Sequence, residues 1–316
     1  MENFAIAIPC FNSALTLGQT LESITQTDHL KGATIVLLDG GSTDFTRQIY
    51  EYFASQVENI RFIFREFPGV HPAERVNAFI LEGDYEFIFL CHSDDIYIPS
   101  AMFDILIYLK KSSLWAVGSQ CGCFQHPADA AYNGLLPYVD IHSTHPESPD
   151  QIYCEMPFWW AISWNTVLLR AKDIASSQIM LDPIHYQFCN DYRFNWELAK
   201  LGKIANVPYF TVLTRHRQKG DGPQNVESLA QEVTRIKELI LEEIGLKKFL
   251  GNHFVNVLKS ISYSYGRWDT SRLSYPRSHY MLLASKLTMF SQNLSRLSHF
   301  EHIGKELEKS LLSSIC

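Results

Sequence analysis

No run of basic residues long enough to follow a nucleic-acid backbone occurs in this 316-residue chain, whose formal net charge is −7 and whose pI is ≈ 5.9. Nothing therefore points to a nucleic-acid partner, and a phosphate ligand would need local help from a metal or a few arginines. No apolar stretch approaches the roughly 20 residues needed to cross a bilayer. The opening Met-Glu-Asn runs straight into a strand pattern, so no signal peptide is expected. Paired CxxC sets are missing as well. The seven cysteines (Cys10, Cys91, Cys121, Cys123, Cys154, Cys189, Cys316) are scattered, and an odd number in a chain of this size points to reduced thiols in a cytosol. Cys121-Gly-Cys123 followed by His126 could bind a soft metal, but a second ligand pair is lacking. Internal repeats are absent. What is present is 46% hydrophobic and 19% charged residues, the balance of a globular protein able to bury one large core plus an appendage.

Along the chain, short apolar runs alternate with helical spacing. Phe4–Pro9, Ala33–Leu38, Ile60–Phe64, Phe87–Leu90 and Leu114–Gly118 read as strands, with helices between them. Five such runs in about 120 residues call for a doubly wound, mostly parallel sheet. Asp39-Gly-Gly-Ser-Thr-Asp44 places a carboxylate at a strand tip, with Ser42 or Asp44 able to cap the following helix. From His126 to Gln151 the pattern dissolves into prolines and small polar residues, a long loop of the kind that is functional or mobile. An aromatic run, Glu155–Trp164, follows it. Cys189-Asn-Asp-Tyr192 leads into a helix, and Val207–Leu213 is strand-like. After Lys219–Pro223 the composition shifts to helical spacing, so 224–316 is read as a helical C-terminal region.

The densest chemistry lies in Phe87–Pro99, Phe-Ile-Phe-Leu-Cys-His-Ser-Asp-Asp-Ile-Tyr-Ile-Pro. A buried strand ends there in His92, Ser93, Asp94 and Asp95. Adjacent acids at the carboxyl edge of a sheet are costly unless a cation, a ribose hydroxyl or solvent takes up their charge. A solvated turn with an Asp helix cap is the other reading.

Four separated stretches share one order with a known family: Ala7–Asn12, Asp39–Asp44, Leu90–Asp95 with Tyr97 and Pro99, and Asn190-Asp191 at a helix start. Together they resemble family-2 glycosyltransferases of the GT-A fold, over about residues 1–217. The resemblance implies an α/β fold, a Rossmann-like mostly parallel sheet flanked by helices. A glycosyltransferase domain of 1–223 would divide into a nucleotide-sugar-binding half, 1–120, and an acceptor half, 121–223. It implies a nucleoside-diphosphate sugar as donor and Mn²⁺ or Mg²⁺ as cofactor. Pro9 and Asn12 would shape the base pocket, Asp39 would accept from the base, and Asp94 would lie near ribose or sugar. Asp95 would ligate the metal, His216 would be a further metal or diphosphate ligand, and Asp191 would be the general base. Arg75, Arg215 and Arg217 could pair with phosphate or be solvated surface arginines. The chain departs from the family pattern at Gly40, where a second acid is usual, at His92 in place of Asp, and at Asn190 in place of Glu.

The chemistry asks for these residue types. Breaking an anomeric C–O bond leaves a diphosphate whose charge a hard cation neutralises, and hard cations take oxygen ligands. A carboxylate must accept the acceptor hydroxyl's proton as it attacks the opposite face, which inverts the anomeric centre. The N-terminal end of a helix would favour the charged form of Asp191. Trp159, Trp160 and Trp164 offer either sugar-stacking faces or core packing. The expected acceptor is a saccharide, a lipid-linked sugar or a protein, in surface polysaccharide or glycoconjugate synthesis. The tail's aromatic and basic residues leave open a peripheral contact at the inner face of the membrane and a homo-oligomer through the C-terminal helices. A sugar-phosphate nucleotidyltransferase would want a Gly-rich, Lys/Arg-bearing loop after the first strand, which Cys10-Phe-Asn-Ser13 is not. A binding-only relative without activity is the other rival, encouraged by His92 and Asn190.

Overall fold

The structure, a computed structural model, describes residues 3–124, 148–156, 162–215 and 226–243. Its centre is an eight-stranded sheet in the order β3-β2-β1-β4-β7-β6-β8-β5. β1 (Phe4–Cys10), β2 (Thr34–Asp39), β3 (Arg61–Glu66) and β4 (Phe87–Leu90) are parallel to one another. Every residue of β2 and β4 is buried, which is why these segments read as continuous apolar runs rather than alternating ones. β3 is the edge, and its exposed Arg61, Arg65 and Glu66 mark it as such.

The other half of the sheet is mixed. β7 (Leu168–Arg170) runs antiparallel to both β4 and β6 (Ala116–Phe124), β8 (Ile204–Arg215) runs parallel to β6, and β5 (Ile96–Tyr97) closes the far edge antiparallel to β8. The expected mostly parallel α/β sheet is thus present, with two short strands, β5 and β7, that the pattern did not resolve. β6 and β8 also outrun the expected 114–118 and 207–213. The extension of β6 carries Cys121 into the apolar core, where it is buried. His126, Trp159, Trp160, His216 and Arg217, together with residues 244–316, lie outside the described residues.

Between the first strands, helices form where apolar spacing foretold them. α1 (Leu17–Thr25) buries Leu17, Leu21 and Ile24, and α2 (Thr46–Gln56) buries Tyr50. α3 (Pro72–Glu82) starts with proline at its first position, has His71 accepting from the Ala73 amide, and stops at Gly83 in the left-handed region. α4 (Pro99–Lys111) buries Met102, Ile105, Leu106 and Leu109. α5 (Pro149–Glu155), α6 (Ala171–Ser177), α7 (Asn190–Lys200) and α8 (Val226–Glu243) complete the set among the described residues. Those residues fall into two compact units, one within 1–149 and 162–220, the other within 150–161 and 221–316. The boundary near 220 is close to the one the composition shift suggests, but 150–161 belongs with the C-terminal unit. Among the described residues no helix is long and apolar enough to cross a membrane.

Gly118 sits where β6 loses register with β8. A Cβ there would lie 2.6 Å from Ile162 Cγ2 and 3.0 Å from Asn206 Oδ1. Gly118→Ala is therefore expected to destabilise by about 1–3 kcal/mol through overpacking, seen as a lower urea midpoint at unchanged slope.

Candidate active site

The strand order reverses direction between β1 and β4, the switch point where open α/β sheets bind ligands beyond the carboxyl ends of their strands. Three sequence-selected stretches meet there. Cys10 lies directly across from Asp39 in the ladder, so the loops after β1 and β2 are adjacent. They are stitched together: Asn12 takes the Thr43 amide on its side-chain oxygen at 2.9 Å and gives its own amide to the Ser42 hydroxyl at 2.8 Å. The Ser13 and Ala14 amides go to Thr46 and Asp44 at 2.7 and 3.0 Å. Asn12 needs a positive φ of 50° for this, a conformation asparagine tolerates better than most residues. Pro9 is half-buried beneath the same loop.

Asp39 is nearly buried, and both its oxygens are in use. Oδ2 accepts the Gly41 and Ser42 amides at 2.9 and 2.8 Å, while Oδ1 accepts the Ser42 hydroxyl and, at 3.3 Å, the Cys10 thiol. Burial pushes the carboxyl up, but these donors more than offset it and hold Asp39 below the usual carboxylate range. Arg75 does not reach into solvent. Its guanidinium is 2% exposed and donates Nη1 to the carbonyls of Cys10 and Leu38, at 2.6 and 2.5 Å. Gly40 explains the fit: a Cβ at 40 would stand 3.1–3.2 Å from three atoms of that guanidinium. The position that usually carries a second acid is empty of side chain because an arginine fills the space.

The acidic turn after β4 is held from three sides. From α1 and the loop before it, Thr20 and Thr16 donate their hydroxyls to the carbonyls of Asp95 and Ser93 at 2.8 and 3.0 Å, and the Ser13 and Ser93 hydroxyls lie 2.8 Å apart. From the end of β8, the Arg215 amide donates to Asp95 Oδ1 at 2.9 Å, and its Nε to the Asp94 carbonyl at 2.9 Å. From the turn before β7, Asn165 Nδ2 donates to Asp95 Oδ2 at 2.5 Å and to the Thr214 hydroxyl at 2.8 Å. Asp95 is consequently 1% exposed, whereas His92 and Asp94 are half-exposed. His92, Asp94 and Asp95 can each offer one donor atom with all three within 4.8 Å, a spread that suits a divalent cation. His92 Nδ1 is 3.4 Å from Asp95 Oδ2. Asn165 and Thr214 were not singled out from the sequence, since an Asn after an aromatic run carries no local signal of its partner 70 residues away. Arg215 serves the turn rather than standing as a surface cation.

Asp191 occupies the first turn of α7 and is 8% exposed. Burial dominates and pushes its carboxyl up to about 7, against the opposing pull of the Tyr192 amide and the nearby His92. The expectation that a helix N-terminus keeps it fully ionised is corrected here: removal from water outweighs the helix dipole. Trp164 packs edge-on against Phe194 of α7, ring centroids 5.9 Å apart, which is core-like packing.

Residues 5–152 match the glycosyl transferase family 2 model. An uncharacterized glycosyltransferase of Haemophilus influenzae is 24% identical over 253 residues, 75% of this chain and 73% of that protein. The uncharacterized glycosyltransferase YibD of Escherichia coli is 22% identical over 74% of this chain and 70% of its own length. Among solved structures, S. aureus TarS 1-349 in complex with UDP-GlcNAc superposes with TM-score 0.59 at 15% identity, over 91% of this chain and 81% of that one. Mannosyltransferase PcManGT from Pyrobaculum calidifontis, in complex with GDP-Man and Mn²⁺, gives 0.56 at 12% identity over 99% and 86%. The fold is thus GT-A-like. The match to the family-2 glycosyl transferase model lies in the segment that carries the switch point and the acidic turn.

Replacing Asn165 by Leu keeps volume but strips a donor from a carboxylate with almost no access to water. A loss of about 1–3 kcal/mol in urea unfolding is expected, together with weaker binding of nucleoside diphosphates measured by calorimetry.

Proposed function

We propose that this protein transfers a sugar from a nucleoside-diphosphate sugar to an acceptor hydroxyl with inversion at the anomeric carbon, with Asp191 as general base and the donor diphosphate at the acidic turn. The observation that carries this reading is the pairing of two unlike carboxylates. Asp95 is locked between Asn165 and the Arg215 amide. Asp191, buried and lifted to about 7, stands within electrostatic reach of His92, which touches Asp95. A base poised near neutral pH is what proton abstraction from an alcohol asks for. The donors bound by TarS and PcManGT in their complexes are nucleotide sugars, which supports the same donor class here.

In this reading the loops after β1 and β2 receive the nucleotide. Pro9 and Asn12 shape one wall, and Asp39 sets the conformation of the Gly41-Ser42 turn as much as it offers an acceptor, because its oxygens already take four donors. Arg75 contributes by tying the ends of β1 and β2 together. Asp94, half-exposed beside Asp95, is placed for a ribose or sugar hydroxyl. His216 would follow directly on the Arg215 that clamps the turn. A divalent cation held by the oxygen donors of the turn would neutralise the charge that builds on the diphosphate as it leaves. Asp191 takes the acceptor's hydroxyl proton while the acceptor oxygen forms its bond to the anomeric carbon. The electron pair of the broken C–O bond departs with the diphosphate. Residues 121–223 are read as the acceptor half and 224–316 as a helical C-terminal region for packing or oligomerisation.

Asp191→Asn should retain donor binding in calorimetry and lose transfer by about 10²–10⁴-fold; unimpaired transfer by this variant would remove Asp191 as the base. The active form of the base is the carboxylate, which is present above its pKa. The wild-type rate should therefore rise with pH through a midpoint near 7 and level off above it, and a flat profile between pH 5.5 and 8.5, roughly the interval spanning such a titration, would contradict the assignment. Asp95→Ala should abolish metal-dependent stabilisation by nucleoside diphosphates in thermal unfolding.

A further inference from the structure

The residue at the head of the acidic turn is His92, where an acid is the usual choice, and it is not idle. Its imidazole projects from the end of β4 toward the turn's carboxylates: Nδ1 is 3.4 Å from Asp95 Oδ2, and a donor atom from Asp94 completes a set within 4.8 Å. An octahedral ion with bonds of about 2.1 Å places neighbouring ligands about 3.0 Å apart and opposite ligands about 4.2 Å apart. The observed spacings need only a small contraction to reach that geometry. Asp95 has capacity to spare. An ionised carboxylate has about four lone-pair sites, and the described donors to Asp95 are Asn165 on one oxygen and the Arg215 amide on the other. These donors orient the carboxylate without filling it, as outer-sphere partners of metal ligands do. The imidazole side chain is 42% exposed, so the far side of the cluster stays open to phosphate oxygens and water.

We infer that His92 supplies an imidazole nitrogen to the metal of this site and thereby biases it toward Mn²⁺ and related transition ions over Mg²⁺. This rests on the proposed assignment of Asp95 as a metal ligand. The chemistry follows from donor type: Mg²⁺ favours an all-oxygen shell, while first-row transition ions accept imidazole readily. A turn ending in two aspartates alone would leave both ions on similar terms. The competing account is an ion pair between His92 and Asp95 with no metal bound to nitrogen.

The test uses the full chain with Mn²⁺ and inorganic pyrophosphate, a probe that carries diphosphate oxygens but no nitrogen. Pulsed electron paramagnetic resonance should show a ¹⁴N coupling to Mn²⁺ in the wild type. That coupling should vanish in His92→Asp and His92→Gln and persist in His216→Ala. Titration calorimetry should show the preference for Mn²⁺ over Mg²⁺ falling by about tenfold in His92→Asp, the scale on which even outer partners alter affinity. Both His92 variants should fold, because the main-chain amide of residue 92 donates to the Tyr97 hydroxyl at 2.7 Å whatever the side chain, and circular dichroism checks this. Mn²⁺ bound without nitrogen coupling, or a coupling that survives in a folded His92 variant, overturns the inference and leaves Asp95 as a ligand. A wild type that binds no Mn²⁺ with pyrophosphate overturns both this inference and the metal assignment of Asp95.

Discussion

The structure around the site depends on a carboxylate taken almost wholly out of water. Asp95 is 1% exposed, and an ion so placed is tolerable only if its oxygens keep donors. The donors come from far along the chain, Asn165 and the main-chain amide of Arg215, 70 and 120 residues away. Satisfying Asp95 therefore requires the antiparallel insertion of β7 and the return of β8 to be complete. Thr16 and Thr20 secure the main chain of the same turn from the opposite side. This one side chain adds a link between the two halves of the sheet, which the β4–β7 ladder joins. The acidic turn therefore draws its donors from the later part of the sheet.

Burial also governs Asp191. Its burial is close to that of Asp95, but its main listener is the Tyr192 amide, so desolvation wins and the carboxyl rises to about 7. Two aspartates drawn from similar helical or turn contexts thereby acquire different chemistry. One is oriented by fixed donors on both oxygens, while the other is left able to gain and lose a proton near neutrality.

Much of this was legible from sequence where the signal is local. Continuous apolar runs mark the buried parallel strands and abrupt polar stops mark their tips, so Asp39 and the acidic turn are legible from the local pattern. Helix starts are set by prolines and caps, Pro72 and His71 for example, rather than by apolar spacing. What escaped was non-local. β5 has two residues and β7 three, too short for any periodicity, yet they fix which side chains reach Asp95. Asn165 has an unremarkable neighbourhood in the chain. Asp191 was placed correctly on a helix start, but burial, which reverses the expected direction of its ionisation, depends on packing that spacing does not encode.

Gly40 and Arg75 show how one departure from a family pattern becomes intelligible only in three dimensions. As a sequence feature, Gly40 is a missing acid. In the structure the vacancy is filled by a guanidinium that bonds the carbonyls of Cys10 and Leu38, one at the end of each neighbouring strand. A side chain at 40 would begin 3.1 Å from Nη1 and displace the group that ties β1 to β2. Gly41 then turns with φ of 91°, and its amide reaches Asp39, whose charge lies beside the same arginine and opposes the desolvation that lowers the guanidinium's pKa. Loss of the second acid and burial of the arginine are therefore two aspects of one packing solution. The rim formed by these loops is hydrogen-bonded within itself, and the Asp39 carboxylate is already engaged by the donors around it.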